Sequence, residues 1–247
     1  MNVDPLLLEP IADRAWPARE RSALGGWRLN AADGWSMRSN ACWPLGEPDR
    51  GVEAAIDATE AWFKTRNLSP RFKLTDGATA PDDLAERLAR RGYVDRKKTL
   101  VMVGSAVGRL DPSVGLSDTP DASFEAVFTA SAGGNLADAR ERLETLARLP
   151  PPARFARLDI DGAPAALGAC AVEAEWAGVF GMRTMAEHRR KGLARRVLGS
   201  LLFEAAALGA RQAYLQVEAD NASAIALYAA EGFSAAYAYR YWVRPAD

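Results

Sequence analysis

The sequence predicts an α/β (α+β) protein of two units, each a mixed, mostly antiparallel sheet flanked by helices. Three observations lead there. Apolar residues recur at helical spacing in some windows and alternate or run together in others, with Gly, Pro and Asp-Gly between them. The order helix, strand, helix, Gly-aromatic, strand occurs once in each half of the 247 residues. Between the halves lies GSAVGRLDPSVGLSDTPDAS, residues 104–123, rich in Gly, Ser, Asp and Pro and without a sustained period. The expected layout is a first unit over 1–104, a linker over 105–122 and a second unit over 123–247.

In the first half, GWRLN (26–30) and WSMRSNACW (35–43) read as strands joined at Asp33-Gly34. A helix runs from about Val52 to Arg66, with Ile56, Ala61, Trp62 and Phe63 as its apolar residues. RFKL (71–74) is a strand, a helix from Asp82 stops at Gly92-Tyr93, and KKTLVMV closes the half as a strand. In the second half, RFARLDI and APAALGACAVE form a hairpin about Asp161-Gly162. VFGMRTM (179–185) is a strand that runs into a charged loop. Leu198, Leu201, Leu202, Ala205 and Leu208 mark a helix closed by Gly209, and AYLQV (213–217) follows as a strand. A helix from Asn221 ends at Gly232-Phe233, and AYAYRYWV is the last strand.

Composition narrows the function classes. Lys plus Arg number 31 against 32 for Asp plus Glu, a net charge of -1, which argues against a nucleic-acid partner. Two cysteines, Cys42 and Cys170, and the single His188 are too few for a four-ligand structural zinc site, and no metal is expected. Any triad would have to use His188 as its base. MNVDPLLLEP lacks the basic start and apolar run of a signal peptide, and residues 163–182 are interrupted by Glu173 and Glu175. A cytoplasmic protein without a membrane partner is expected.

The segment EHRRKGLARRVL carries the chemistry. A strand ends near Met185, and Arg189-Arg190-Lys191-Gly192-Leu193-Ala194 leads into an amphipathic helix. Free N–H groups and partial positive charge at a helix start suit a phosphate or pyrophosphate, Gly192 permits close approach, and three cations flank it. Neither a P-loop nor a dinucleotide-binding glycine fingerprint is present. About thirty residues on comes LQVEADNASAIALYAAEGF, residues 215–233.

Here the chain resembles the GNAT superfamily of acyl-CoA-dependent N-acetyltransferases. Arg189-x-x-Gly192-x-Ala194 matches the superfamily's R/Q-x-x-G-x-G/A loop, and Asn221-x-x-Ala224-x-x-Leu227-Tyr228 with Glu231-Gly232-Phe233 matches its second acetyl-CoA segment. The firm resemblance covers about residues 155–243. The first half looks like a degenerate copy, because PLGEPDRG (44–51) puts two acids and two prolines where the anion nest should be.

The resemblance implies a fold of two GNAT-like domains and acetyl-CoA as co-substrate. The backbone of Met182, Arg183 and Thr184 would pair with the pantetheine arm, and Arg189, Arg190, Lys191, Gly192, Leu193 and Ala194 would take the pyrophosphate. Asn221 and Ala224 would contact the arm, Asn221 as helix cap, hydrogen-bond donor or both. Tyr228 would protonate the departing thiolate. Among Glu173, Glu175 and Glu218, all expected near the sheet opening, Glu218 ranks first as base for a primary amine acceptor, with a water relay as the alternative. His188 would point away from the acyl carbon, and Cys170 reads as a small buried hydrophobe. Tyr237, Tyr239, Tyr241 and Trp242, with Trp16, Trp27, Trp35, Trp43 and Trp62, read as core fillers more readily than as walls of an acceptor pocket. The competing function is a non-catalytic acyl-CoA-binding or sensing protein.

Overall fold

The structure is a computed structural model that describes residues 3–131 and 133–245. The first half contains α1 (Pro5–Ala15), β1 (Glu20–Leu24), β2 (Trp27–Ala31), β3 (Ala41–Pro44), α2 (Val52–Lys64), β4 (Arg71–Thr75), α3 (Leu84–Arg90) and β5 (Val94–Ser105). The second contains β6 (Val114–Ser117), α4 (Ala122–Ala130), α5 (Leu136–Leu146), β7 (Ala153–Ile160), β8 (Ala163–Glu173), β9 (Trp176–Thr184), α6 (Leu193–Ala207), β10 (Gln212–Glu218), α7 (Ala222–Ala230) and β11 (Ser234–Val243). Among the described residues no helix is long and apolar enough to cross a membrane.

The mixed α/β character matches the sequence pattern, but the strands form one sheet where two were expected. Its order is β1-β2-β3-β4-β11-β5-β10-β9-β8-β7-β6. The reason lies in the closing strands. β5 sits between β10 and β11, and β11 sits between β4 and β5, so each half is completed by a strand from the other. Only β3 with β4 and β9 with β10 run parallel. The pattern is therefore nearly the same read outward in either direction from the β11–β5 pair, which fits the repeated element order.

Three local expectations change. Residues 35–40 are not strand; pairing begins at Ala41, against Asn30. The expected linker contains a strand and is held to the second half. Val114–Ser117 pairs with β7, Asp111 forms an ion pair with Arg196 at 2.6 Å, and the Asp111 N–H donates to Ser200 Oγ at 3.0 Å. A Cβ on Gly108 would lie 2.1 Å from the Gly199 carbonyl oxygen, so only glycine lets the chain pass this close to α6. Finally, α1, α4 and α5 occupy stretches to which no element was assigned. Each starts at a side-chain cap, Asp4, Asp121 and Asn135 respectively.

Helices cover both faces of the sheet. Under α1, α4 and α5 lie Leu8, Trp16, Phe124, Phe128, Phe155, Phe180 and Tyr214. Under α6 and α7 lie Val197, Leu201 and Tyr228 with Leu158, Cys170, Val179 and Leu215. The first half adds its own core, in which Trp27, Phe72 and Tyr93 meet edge to face at 6.0 and 5.4 Å.

One buried polar group ties α1 to the exchanged strand. Lys73 of β4 and Glu9 of α1 are fully buried and ion-paired. Tyr237 of β11 donates to the other Glu9 oxygen at 3.0 Å. The Lys73 ammonium also lies 3.5 Å from the Trp43 ring centroid and 4.1 Å from that of Tyr239. Lys73→Met would strand the Glu9 carboxylate, and urea unfolding should show a loss of about 3–5 kcal/mol, most of it recovered in the Lys73→Met/Glu9→Leu double variant.

Candidate functional site

The site forms where two parallel strands part. β9 and β10 pair from Trp176↔Gln212 to Val179↔Leu215, and no further. Beyond that point β9 continues to Thr184 against β8, and β10 continues to Glu218 against β5. A bulge drives the divergence. Between the pairs Ala169↔Phe180 and Leu167↔Arg183, β9 carries an extra residue, with Gly181 at φ +62°. A Cβ there would reach Leu146 and Phe128 at 3.2 and 3.3 Å. The strands open onto a cleft of about 460 Å³, and the β9 edge over Phe180–Arg183 faces that cleft instead of another strand. Unpaired backbone donors at such an edge need a partner from outside the sheet. This is where the Met182–Thr184 expectation falls; Met182 and Arg183 line the cleft, and Thr184 pairs with Ala166 just past it.

The second part is the start of α6. After a 3₁₀ turn at Ala186–His188, Arg190 takes φ +60° and Gly192 φ +77°. Gly192 is the N-cap, with no side chain capping the helix, and the first backbone bond returning to it comes from Arg196 N–H at 3.2 Å. The N–H groups of Leu193, Ala194 and Arg195 thus point off the helix end. The space around Gly192 is open. Arg189 donates to the Thr184 carbonyl at 3.4 Å and Arg195 pairs with Glu231 at 2.5 Å. Arg190 and Lys191 are exposed and have no carboxylate partner among the described residues. An uncapped helix start beside free cations is a setting that favours an anion.

The third part is α7. Asn221 is its N-cap, accepting from Ala224 N–H at 3.2 Å and from the Ser223 hydroxyl at 3.1 Å. Asn221, Ala224 and Tyr228 all line the cleft. Tyr228 is buried with its ring against Phe233, and burial pushes its phenol up to about 12, opposed by the charge of Arg183. Glu218 stands half-exposed at the cleft and pairs with Lys97 at 3.2 Å.

Two of the three candidate bases lie elsewhere. Glu173 and Glu175 sit at the turn before β9, the closed end of the strand pair, and Glu173 is bound to Arg14 at 2.5 Å. Strand direction decides this, because β9 carries its cleft residues at its C-terminal end. His188 is outside the cleft lining, in the turn leading to α6. Cys170 is buried, with its thiol pushed up to about 12 by burial, as a core residue would be.

The opposite wall of the cleft comes mainly from residues that the sequence pattern marks as core or does not mark at all. Trp16 ends α1, Trp35–Arg38 belong to the β2–β3 loop, Phe128 to α4, and Asp138 and Arg142 to α5. Tyr239 and Tyr241 reach it from β11, whereas Tyr237 turns to Glu9, and Trp27 and Trp43 do fill the core. The loop is held by a carboxylate a hundred residues away. Buried Glu141 accepts from the N–H groups of Trp35 (3.0 Å) and Ser36 (2.9 Å) and from Asn40 Nδ2 (2.8 Å). The Asp33-Gly34 turn followed by Ser-x-x-Ser-Asn was the available loop signal.

The first half has a corresponding parallel pair, β3 and β4, meeting at Cys42↔Phe72. Its loop 44–51 folds back on the β1–β2 turn. Gly26 N–H donates to the Glu47 carbonyl at 2.7 Å, and a Cβ on Gly25 would lie 2.5 Å from Asp49 N. Glu47 stands in this loop and Asp49 is ion-paired with Arg50 at 2.7 Å, whereas the corresponding loop of the second half has Arg190 and Lys191.

Comparison with known proteins gives the family and the fold. The family model described as "Probable histone acetyltransferase Rv0428c C-terminal" matches residues 7–242. The "Uncharacterized N-acetyltransferase YobR" of Bacillus subtilis is 24% identical over 244 residues, 96% of this chain and 97% of that protein. "Probable histone acetyltransferase Rv0428c" of Mycobacterium tuberculosis is 28% identical over 225 residues, 88% of this chain and 67% of that protein. Among solved structures, a GCN5-related N-acetyltransferase from Kribbella flavida superimposes with a TM-score of 0.72 at 18% identity, covering 100% of this chain and 97% of that one. A tandem GNAT protein from the clavulanic acid biosynthesis pathway gives 0.62 at 16% identity, over 90% of this chain and 79% of that one.

Removing the Glu141 carboxylate should release the 35–40 loop. Glu141→Ala leaves the part-buried Trp35 and buried Ser36 amides unpaired; hydrogen–deuterium exchange of that loop should rise and stability should fall by about 2 kcal/mol or more.

Proposed function

Because the chain belongs to the family of the Rv0428c acetyltransferase C-terminal domain, acyltransferases of the GNAT superfamily, we propose that it moves an acetyl group from acetyl-CoA to a primary amine by direct attack. The observation that carries this reading is the coincidence, at one end of β9, of an unpaired strand edge and an uncapped, cation-flanked helix start. A molecule with an amide-bearing arm and a diphosphate suits both at once. We further read residues 1–104 and 123–247 as two GNAT-like domains, with the cofactor site only in the second.

Acetyl-CoA would supply the activated acyl carbon. The cleft edge of β9 over Met182–Thr184 would hold the arm, with Asn221 and Ala224 on its other side. Leu193 and Ala194 N–H groups, with Arg189, Arg190, Lys191 and Gly192 around them, would hold the diphosphate. A donor N–H fixed in the strand costs little reorganisation when charge builds on the carbonyl oxygen. The amine must lose a proton before it attacks, and Glu218 is our choice for the group that takes it. As the new C–N bond forms and the C–S bond breaks, Tyr228 would give its proton to the sulfur, and the excess proton on the nitrogen would return to the Tyr228 phenolate. With its phenol at about 12, Tyr228 stays protonated through the physiological range, and Arg183 beside it favours the charge that appears when the proton leaves.

Two experiments test this. Calorimetry should find micromolar binding of acetyl-CoA to the wild type and none to Gly192→Glu, which puts a negative side chain into the nest; a folded wild type that binds no acetyl-CoA would overturn the assignment. In Tyr228→Phe, kcat should fall about a hundredfold or more with acetyl-CoA affinity unchanged. Because the phenol titrates near 12, kcat in the wild type should not fall between pH 8 and 10 through loss of the Tyr228 proton.

A further inference from the structure

The cleft is lined by four cationic side chains, Arg38, Lys97, Arg142 and Arg183, and by two carboxylates, Asp138 and Glu218. The carboxylates are taken. Asp138 pairs with Arg142 at 2.8 Å and Glu218 with Lys97 at 3.2 Å. Arg38 and Arg183 have no ion-pair partner among the described residues, and the buried Nε of Arg183 has no hydrogen-bond partner at all. The nearest buried carboxylates are also committed, Glu9 to Lys73 and Tyr237, and Glu141 to the loop backbone. Two guanidiniums therefore face the cleft unneutralised, an arrangement that costs desolvation unless an anion completes it.

These two do not belong to the diphosphate site. The Arg38 guanidinium lies 5.4 Å over the Trp16 ring and that of Arg183 lies 4.9 Å over the Phe128 ring, both on the α1/α4/α5 face. The α6 start, with its own cations, packs on the other face. The aromatic walls lower the local dielectric and strengthen any pairing made there. A guanidinium fork matches a planar carboxylate.

We infer that this wall recognises a carboxylate on the acceptor, so that the acetyl group goes to an amine that carries its own carboxylate, as a free amino acid does. The inference rests on the acyl-transfer reading above and names its substrate class. A purely cationic amine, or a lysine side chain on a basic peptide, would bring like charge towards Arg38 and Arg183 without a carboxylate of its own to pair with them.

The test is calorimetric titration of each of the twenty protein amino acids, and of its carboxamide, into the chain saturated with CoA, followed by initial rates with acetyl-CoA. At least one amino acid should bind tenfold or more tightly than its carboxamide. Arg38→Gln should raise KM for that acid more than tenfold while changing KM for the carboxamide less than twofold, and Arg38→Lys should restore part of the loss. Arg38→Met gives the same readout should Arg38→Gln not fold. Acids that bind no better than their carboxamides, no binding by any of them, or faster acetylation of a lysine-rich peptide overturns the inference. A chain that binds acetyl-CoA yet ignores carboxylates refutes this inference alone and leaves the acyl-transfer reading standing.

Discussion

The exchange of β5 and β11 is the constraint on which the rest of the architecture depends. Each of these strands hydrogen-bonds to strands of the opposite half, so neither half completes its sheet from its own residues. The exchange also sets the composition of the cleft. β10 can part from β9 because β5 holds its other edge through Glu218, and Tyr239 and Tyr241 reach the opening because β11 lies beyond β5. Glu9, Lys73 and Tyr237 then fix α1 to the exchanged strand, and α1 delivers Trp16 to the same opening. Hydrogen bonds of the sheet and one buried polar cluster together bring residues from both ends of the chain to one place.

The site divides its tasks between the two faces of the sheet. On the α6/α7 face, helix ends and backbone donors dominate: Gly192 at the start of one helix, Asn221 at the start of the next, and Tyr228 within the latter. On the α1/α4/α5 face, side chains dominate, with aromatic rings and guanidinium groups held by loops and helices of both halves. The first arrangement suits a ligand whose shape never changes. The second suits one distinguished by its charge and its ring contacts.

What the sequence made legible follows from how far each signal reaches along the chain. The Asp161-Gly162 hairpin, the Gly192 helix start and the Asn221 cap depend on neighbours within a few residues, and the structure has each of them where expected. Asp4-Pro5 and Asp121 were cap signals of the same kind, open to reading though unused. The partners of β5 and β11 were beyond reach, since an apolar strand pattern does not say which edge it will join. Trp35–Arg38 looked like strand because the carboxylate that shapes the loop, Glu141, is a hundred residues away. Glu173 and Glu175 were misplaced for a related reason. Their distance in sequence from β9 is small, but strand direction puts them at its far end.

The near-symmetry about the β11–β5 pair has one further consequence. A chain in which each half lends its last strand to the other has the form of a strand-swapped dimer whose two subunits happen to be joined end to end. The peptide bonds between β5 and β6 are then not what holds the halves together; the sheet does that. Cleavage of the backbone there would leave two polypeptides joined through the hydrogen bonds of β4, β11, β5 and β10.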